Sequence, residues 1–275
     1  MERSVTRIET AQPPGRSAPT HANRLVVAPG DFAGHSPFLL MAEDWFAPPS
    51  GFPTHPHRGM ETVTIVLEGS LEHRDHTGGH GLLAEGDVQW MTAGKGVMHS
   101  EMPGPEGVHS LQLWLNLPKS HKLTAARYAD QHAADAGLLK GEGWEARVYA
   151  GRQGEVAAAH GSTYPMGLVM LHAAAGASVE LEIPADERGF LYVIEGSAEV
   201  GRSAVTAGQV SWFDPSGALG AAPDTITIRT RTKLQAALFS GKAIDEPVVA
   251  YGPFVMNTTE EIQQAFADYR AGAFV

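Results

Sequence analysis

The sequence has 275 residues, 43% of them hydrophobic and 19% charged, with 20 Lys and Arg against 31 Asp and Glu for a formal charge of −11. This is the balance of an ordinary globular chain with room for one large or two medium domains, and an acidic surface disfavours sequence-independent contact with nucleic-acid phosphates. Cysteine is absent, which excludes disulfides, thiolate metal sites and cysteine nucleophiles.

The first residues, MERSVTRIETAQPPG, hold no apolar run of the signal-peptide kind. No stretch approaches ~18 uninterrupted apolar residues. The expectation is a cytoplasmic protein without a membrane span. Short period-two runs then recur, each bounded by Gly, Pro or Asp: ETVTIVLEGSLEHR, GDVQWMTA, HSLQLWLNLP, EARVYAG, GLVMLHAAA, ASVELEIP, FLYVIEGSAEV, GQVSWF and TITIRTR. This pattern predicts an all-β fold of sandwich or barrel type. In the last of these runs Arg229, Arg231 and Lys233 share one strand face, which reads as a solvated outer surface.

Two stretches read as helix. LTAARYADQHAADAGLLKG, residues 123–141, is Ala-rich, ends at glycine and is predicted to be a short inter-domain linker helix. NTTEEIQQAFADYRAG follows near the C-terminus, where Thr258 and Glu261 form a capping box. Ile262, Ala265, Phe266 and Tyr269 make one apolar stripe there, expected to dock against a β domain. A degenerate repeat is also present. HRGMETVTIVLEGSLEH (57–73) is similar to ERGFLYVIEGSAEV (187–200), and each precedes a Gly-x-Val-x-Trp segment, at Gly86 and Gly208. Two copies of one β unit are the simplest reading, with boundaries at 1–136 and 137–275 and the C-terminal helix appended to the second.

The chemistry concentrates in FPTHPHRGM. His55 and His57 are separated by one residue, so on a strand both imidazoles point to one face. Pro56 between them removes a backbone donor, which suits an edge. In GKGVMHSEMPG, His99 and Glu101 repeat the spacing. Brought together by sheet curvature, the pairs supply three nitrogens and one oxygen, a set suited to one divalent transition metal with room left for substrate. The other histidines make no such pair. His73, His76 and His80 fall in a Gly-rich acidic stretch that reads as a solvated loop. His109 precedes an apolar strand and reads as a buried, hydrogen-bonded residue. His35, His121, His132, His160 and His172 are isolated and receive no role. Glu61, four residues after His57, reads as a supporting residue or a partner of Arg58. No Walker loop, dinucleotide fingerprint or Gly-x-Ser-x-Gly elbow appears.

The stretches HPHRGMETVTIVLEG, GDVQWMTAGKGVMHSEMP, LQLWLNLP and GPFVMNTTEEIQQAFADYRAGAF resemble the pirin family over nearly the whole chain, from about Arg24 to Phe274. The resemblance implies a bicupin, two tandem cupin β-barrels in one chain. It implies one iron, as Fe(II), in the N-terminal barrel, held by His55, His57, His99 and Glu101. In the second copy Ala185 and Glu187 stand at the positions of His55 and His57, and Ala221 and Pro223 fall near those of His99 and Glu101. A metal-free structural barrel is expected there. For function the resemblance implies a dioxygenase of quercetin 2,3-dioxygenase type, which opens a flavonol ring with O2 and releases carbon monoxide, with Glu101 also taking a proton as base. It equally implies an iron-binding, redox-sensing protein whose partner is a transcription regulator or a metabolic enzyme.

Overall fold

Alternating apolar and polar residues form antiparallel strands because one pleated face can be buried while the other stays wet. In the computed structural model, which describes residues 1–159, 161–217 and 220–274, the period-two runs of the sequence form strands, with FLYVIEGSAEV divided between two. His160 lies outside the described residues. The chain forms two compact units. The first barrel gathers Pro13–Ala133, Ser162–Tyr164 and Ile244–Val275; the second gathers Met1–Gln12, Ala134–Gly161 and Pro165–Ala243. The division is thus interleaved, where the sequence suggests one cut near residue 136.

Among the described residues, the first barrel's main sheet runs in the order Arg127–Gln131, Val88–Thr92, Met60–Asp75, Val97–Asn116, Phe38–Phe46, His21–Val27 and Gly15–Ala18. The twenty-residue strand Val97–Asn116 is its spine. It pairs with Met60–Asp75 along most of its length, with Phe38–Phe46 beyond Val108, and with Phe52–His57 at its start. The second barrel has a sheet ordered Arg7–Thr10, Gln209–Phe213, Arg188–Glu195, Leu234–Gly241, Met166–Ala173, Trp144–Ala150 and Gly137–Gly141. A smaller sheet joins Ser178–Ile183, Asp224–Thr230, Ser197–Val200 and Ser203–Thr206. Arg229, Arg231 and Lys233 are exposed, as the alternation requires.

The Ala-rich stretch 123–141 is not a helix. Arg127–Gln131 is a strand pairing with Val88–Thr92, Ala133–Asp135 is a single 3₁₀ turn, and Gly137–Gly141 is an edge strand on Trp144–Ala150. Two open sheet edges take up this backbone, and their hydrogen bonds outweigh alanine's local preference. The C-terminal helix, Thr259–Arg270, forms with its capping box intact. Ile262 and Ala265 are buried with Phe254, Met256 and Phe274, and the cluster includes Met98 of the first barrel.

Candidate metal centre

Among the described residues, the strand Phe52–His57 pairs on one side only, with Val97–Asn116. Pro56, which lacks an N–H, costs nothing at such an edge. His55 lies directly across from His99, and Phe52 from Glu101. Gly59 then turns the chain into the next strand with φ +79°, and a Cβ there would overlap the Val255 carbonyl oxygen, so no other residue fits.

This register converges three imidazoles. Ring centroids are 4.3 Å apart for His55 and His99, 4.9 Å for His55 and His57, and 5.0 Å for His57 and His99. One nitrogen from each lies within 4.8 Å of the others, and this is the only such group of three among the described residues. His55 Nδ1 is 2.8 Å from the Pro53 carbonyl and His57 Nδ1 is 3.3 Å from the Pro253 carbonyl. A carbonyl can only accept, so each Nδ1 carries its proton and each Nε2 presents a lone pair. The two Nε2 atoms face one another at 3.1 Å. Among the described residues, neither nitrogen of buried His99 has a hydrogen-bond partner. Burial, and then the neighbouring imidazoles, pull His57 down to about 3 and His99 well below its ordinary value. Neutral imidazoles with converging lone pairs and orphaned nitrogens are what a metal cation satisfies. The residues present therefore fit a metal.

Glu101 is 2% exposed and stands beside this group without joining its cluster of converging atoms. Gln112 Nε2 donates to both its carboxylate oxygens, at 2.8 and 3.0 Å, and Thr64 Oγ1 donates at 3.2 Å. Gln112 accepts in turn from the Trp114 indole at 3.4 Å, and the Trp114 ring meets His57 edge-on at 5.1 Å. Beyond Trp114 lies an apolar cavity of about 430 Å³, lined among others by Phe32, Leu39, Leu40, Gly252 and Val255.

Glu61 does not pair with Arg58. It is buried and accepts from Thr92 Oγ1 at 2.6 Å and from the Thr163 amide at 3.0 Å, while Arg58 pairs with Asp268. Met60 and Met91 belong to an apolar core with Leu39 and Val97. His109 is half-buried, bonded to Glu43 at 2.8 Å and stacked on Trp45. His76 and His80 are exposed, but His73 is not in a solvated loop. It is fully buried at the end of Met60–Asp75, opposite Glu101, with its ring 5.2 Å from His99 and stacked on Tyr128. The sequence signal was available: His73 continues the even spacing of Val63, Ile65 and Leu71, and glycines downstream obscured it.

Two β-barrels of this topology, with histidines converging at the strand ends of one, define a bicupin. Residues 27–115 match the family described as Pirin, and residues 168–275 match the Pirin C-terminal cupin domain. Pirin-like protein 2 of Arabidopsis thaliana is 37% identical, over 86% of this chain and 74% of its own. A Vibrio cholerae protein named as a candidate quercetin 2,3-dioxygenase is 38% identical, over 87% of this chain and 86% of its own. The crystal structure of quercetin 2,3-dioxygenase from Acinetobacter baumannii superposes with a TM-score of 0.89 at 29% identity, covering 100% of this chain and 99% of that one. The chain belongs to the pirin family.

Proposed function

We propose that this pirin is an iron-dependent dioxygenase of the quercetin 2,3-dioxygenase type, acting on a flavonol or a similar planar aromatic alcohol with O2. His55, His57, His99 and Glu101 are the ligands of one divalent metal, Fe(II). The observation that carries the reading is the convergence of three imidazoles, with His57 and His99 held neutral by burial, beside a buried carboxylate held by Gln112 and Thr64. Names carried by relatives support the chemistry.

When bound, the metal supplies Lewis acidity toward a substrate hydroxyl and a site for dioxygen. The protein's residues do the rest. Glu101 accepts the hydroxyl proton at a carboxylate oxygen, the only anionic group of the four. Gln112 and Thr64 fix that carboxylate's orientation. The cavity beside Trp114 is of a size that suits a small planar ligand, and its walls are mostly apolar.

The test is aerobic turnover by protein loaded with iron under anaerobic conditions, following flavonol bleaching and carbon monoxide. Activity well above free iron, lost in Glu101→Gln beyond the loss of metal, supports the reading. Turnover no better than free iron overturns it for flavonols. The redox-sensing reading then leads, and it requires a partner that binds the ferric and ferrous forms with different affinity.

A further inference from the structure

His57 is held from behind by a part of the chain 196 residues away, the Pro253 carbonyl. The contact belongs to a larger grip. The Arg58 amide donates to the same carbonyl at 3.4 Å, and the Val255 amide donates back to the Arg58 carbonyl at 3.0 Å. Buried Lys122 ties the two segments together: its Nζ donates to the Gly59 carbonyl at 2.9 Å, the Val255 carbonyl at 3.0 Å and Asn116 Oδ1 at 2.8 Å. The Arg58 guanidinium donates to the Lys95 carbonyl at 2.6 Å and to Asp268 at 2.7 Å, and lies 4.4 Å over the Phe274 ring. The second ligand-bearing segment is gripped as well. A Cβ on Gly96 would meet the Phe274 ring, and Met98 packs into the cluster of Phe254, Met256 and Phe274. Asp268 is on the C-terminal helix, whose other visible task is to cover apolar surface.

We propose that the segment from Pro253 to Phe274 is a positioning clamp for the metal-facing imidazole of His57, with Arg58, Asp268 and Phe274 as positioning residues that set metal affinity and ligand geometry without touching the metal. The inference rests on the reading that His57 is a metal ligand. An Nδ1–H bonded to a carbonyl fixes the imidazole's tautomer and ring plane and raises the basicity of Nε2. At 3.3 Å that bond is near the end of the useful range, so a small withdrawal of Pro253 breaks it. Arg58 neighbours His57 in the chain and spans to the helix, so the Arg58–Asp268 pair determines how closely Pro253 is drawn in.

The full-length protein is tested with Cu(II) as probe, measuring Kd by chelator competition and the Cu(II) paramagnetic resonance spectrum. Asp268→Asn combined with Phe274→Leu should raise Kd about tenfold to a hundredfold, the usual range for a group supporting a metal ligand, and should shift the hyperfine splitting. Asp268→Glu, which keeps a carboxylate for Arg58, should stay close to wild type in both. If His57→Ala binds Cu(II) as tightly as wild type, the metal reading itself fails. If His57→Ala loses the metal while the Asp268 and Phe274 variants keep wild-type Kd and spectrum, the clamp alone is overturned. The clamp is also overturned if Ile228→Val, a core change in the second barrel, alters Kd and spectrum as much at comparable loss of thermal stability.

Discussion

The two barrels are built from one repeat and filled in opposite ways. In the first, the strands Phe52–His57 and Val97–Asn116 turn His57, His99 and Glu101 into the interior, all buried. In the second, the pairing of Ser178–Ile183 with Asp224–Thr230 turns Val179, Leu181, Ile226 and Ile228 into one apolar core with Leu191 and Val193. Glu187, aligned with His57 through ERG and HRG, accepts from Ser240 at 2.6 Å, and burial raises its pKa. A buried polar group is stable only with partners. The first barrel supplies them for its carboxylates and for His57, with Gln112 and Thr64 at Glu101, Thr92 and Thr163 at Glu61 and Pro253 at His57, and leaves the His99 nitrogens for a cation. The second fills its interior with apolar side chains instead and keeps the Glu187 carboxylate bonded to Ser240. A barrel of this kind can hold a polar cup or a full core, and two copies in one chain allow both.

The largest effect that would break this comparison is loss of the cup. The double variant His57→Ala, His99→Ala should fall from about one metal per chain to almost none by elemental analysis; equal metal in both proteins sinks the assignment. Next is Glu101→Gln, which keeps shape and removes basicity. Turnover per bound metal should drop about a hundredfold or more, and a variant as active as wild type removes the base role. In the second barrel, Leu191→Ala should cost about 2–5 kcal/mol in denaturant unfolding while metal per folded chain stays unchanged. A parallel loss of metal would show that this barrel is more than a scaffold.

The smallest effect is in acid, and it separates the barrels by pH. His57 has a folded pKa of about 3 against an ordinary 6.5, through burial first and His55 second. Its contribution to the metal-free first barrel is therefore complete above 6.5 and is lost as pH falls toward 3. Asp224 of the second barrel is lowered from 3.8 to about 2, chiefly by its hydrogen bond from Ser216, with the N-terminal amine and Arg3 adding to it. Its contribution is complete above 3.8 and is lost only toward 2. Amide exchange in metal-free protein should show the first barrel loosening at higher pH than the second, and the reverse order would contradict both assignments.

The strands and the HxH and HxE pairs were legible because period two is a local property: whatever the register, residues i and i+2 share a face. The capping box at Thr258 and Glu261 was legible for the same reason. What failed needed partners remote in sequence. Residues 123–141 read as helix because alanine's preference is local, whereas the edges that claim this backbone, at Val88–Thr92 and Trp144–Ala150, are visible only in the fold. Glu61 was read as a supporting residue or as a partner of Arg58, its neighbour in the chain, yet it bonds Thr92 and Thr163 while Arg58 reaches Asp268. His73 was set aside because its neighbours are polar, although its strand continues to Asp75 and Tyr128 covers its ring. Backbone carbonyls such as that of Pro253 carry no sequence signal at all.

The interleaving of the two units imposes a timetable on synthesis. The second barrel needs Met1–Gln12, whose strand Arg7–Thr10 must wait for Gln209–Phe213. The first barrel has its three histidines by residue 99, whereas Pro253, Asp268 and Phe274 are made more than 150 residues later. Domains usually fold in order as they emerge during translation, and contacts across such separations form slowly. Until the segment from Pro253 to Phe274 has been made, His57 Nδ1 lacks the carbonyl that it meets in the folded protein. Without Pro253 to Phe274 the three histidines would remain, but His57 would lose the carbonyl behind its Nδ1 and Gly96 the ring that packs against it.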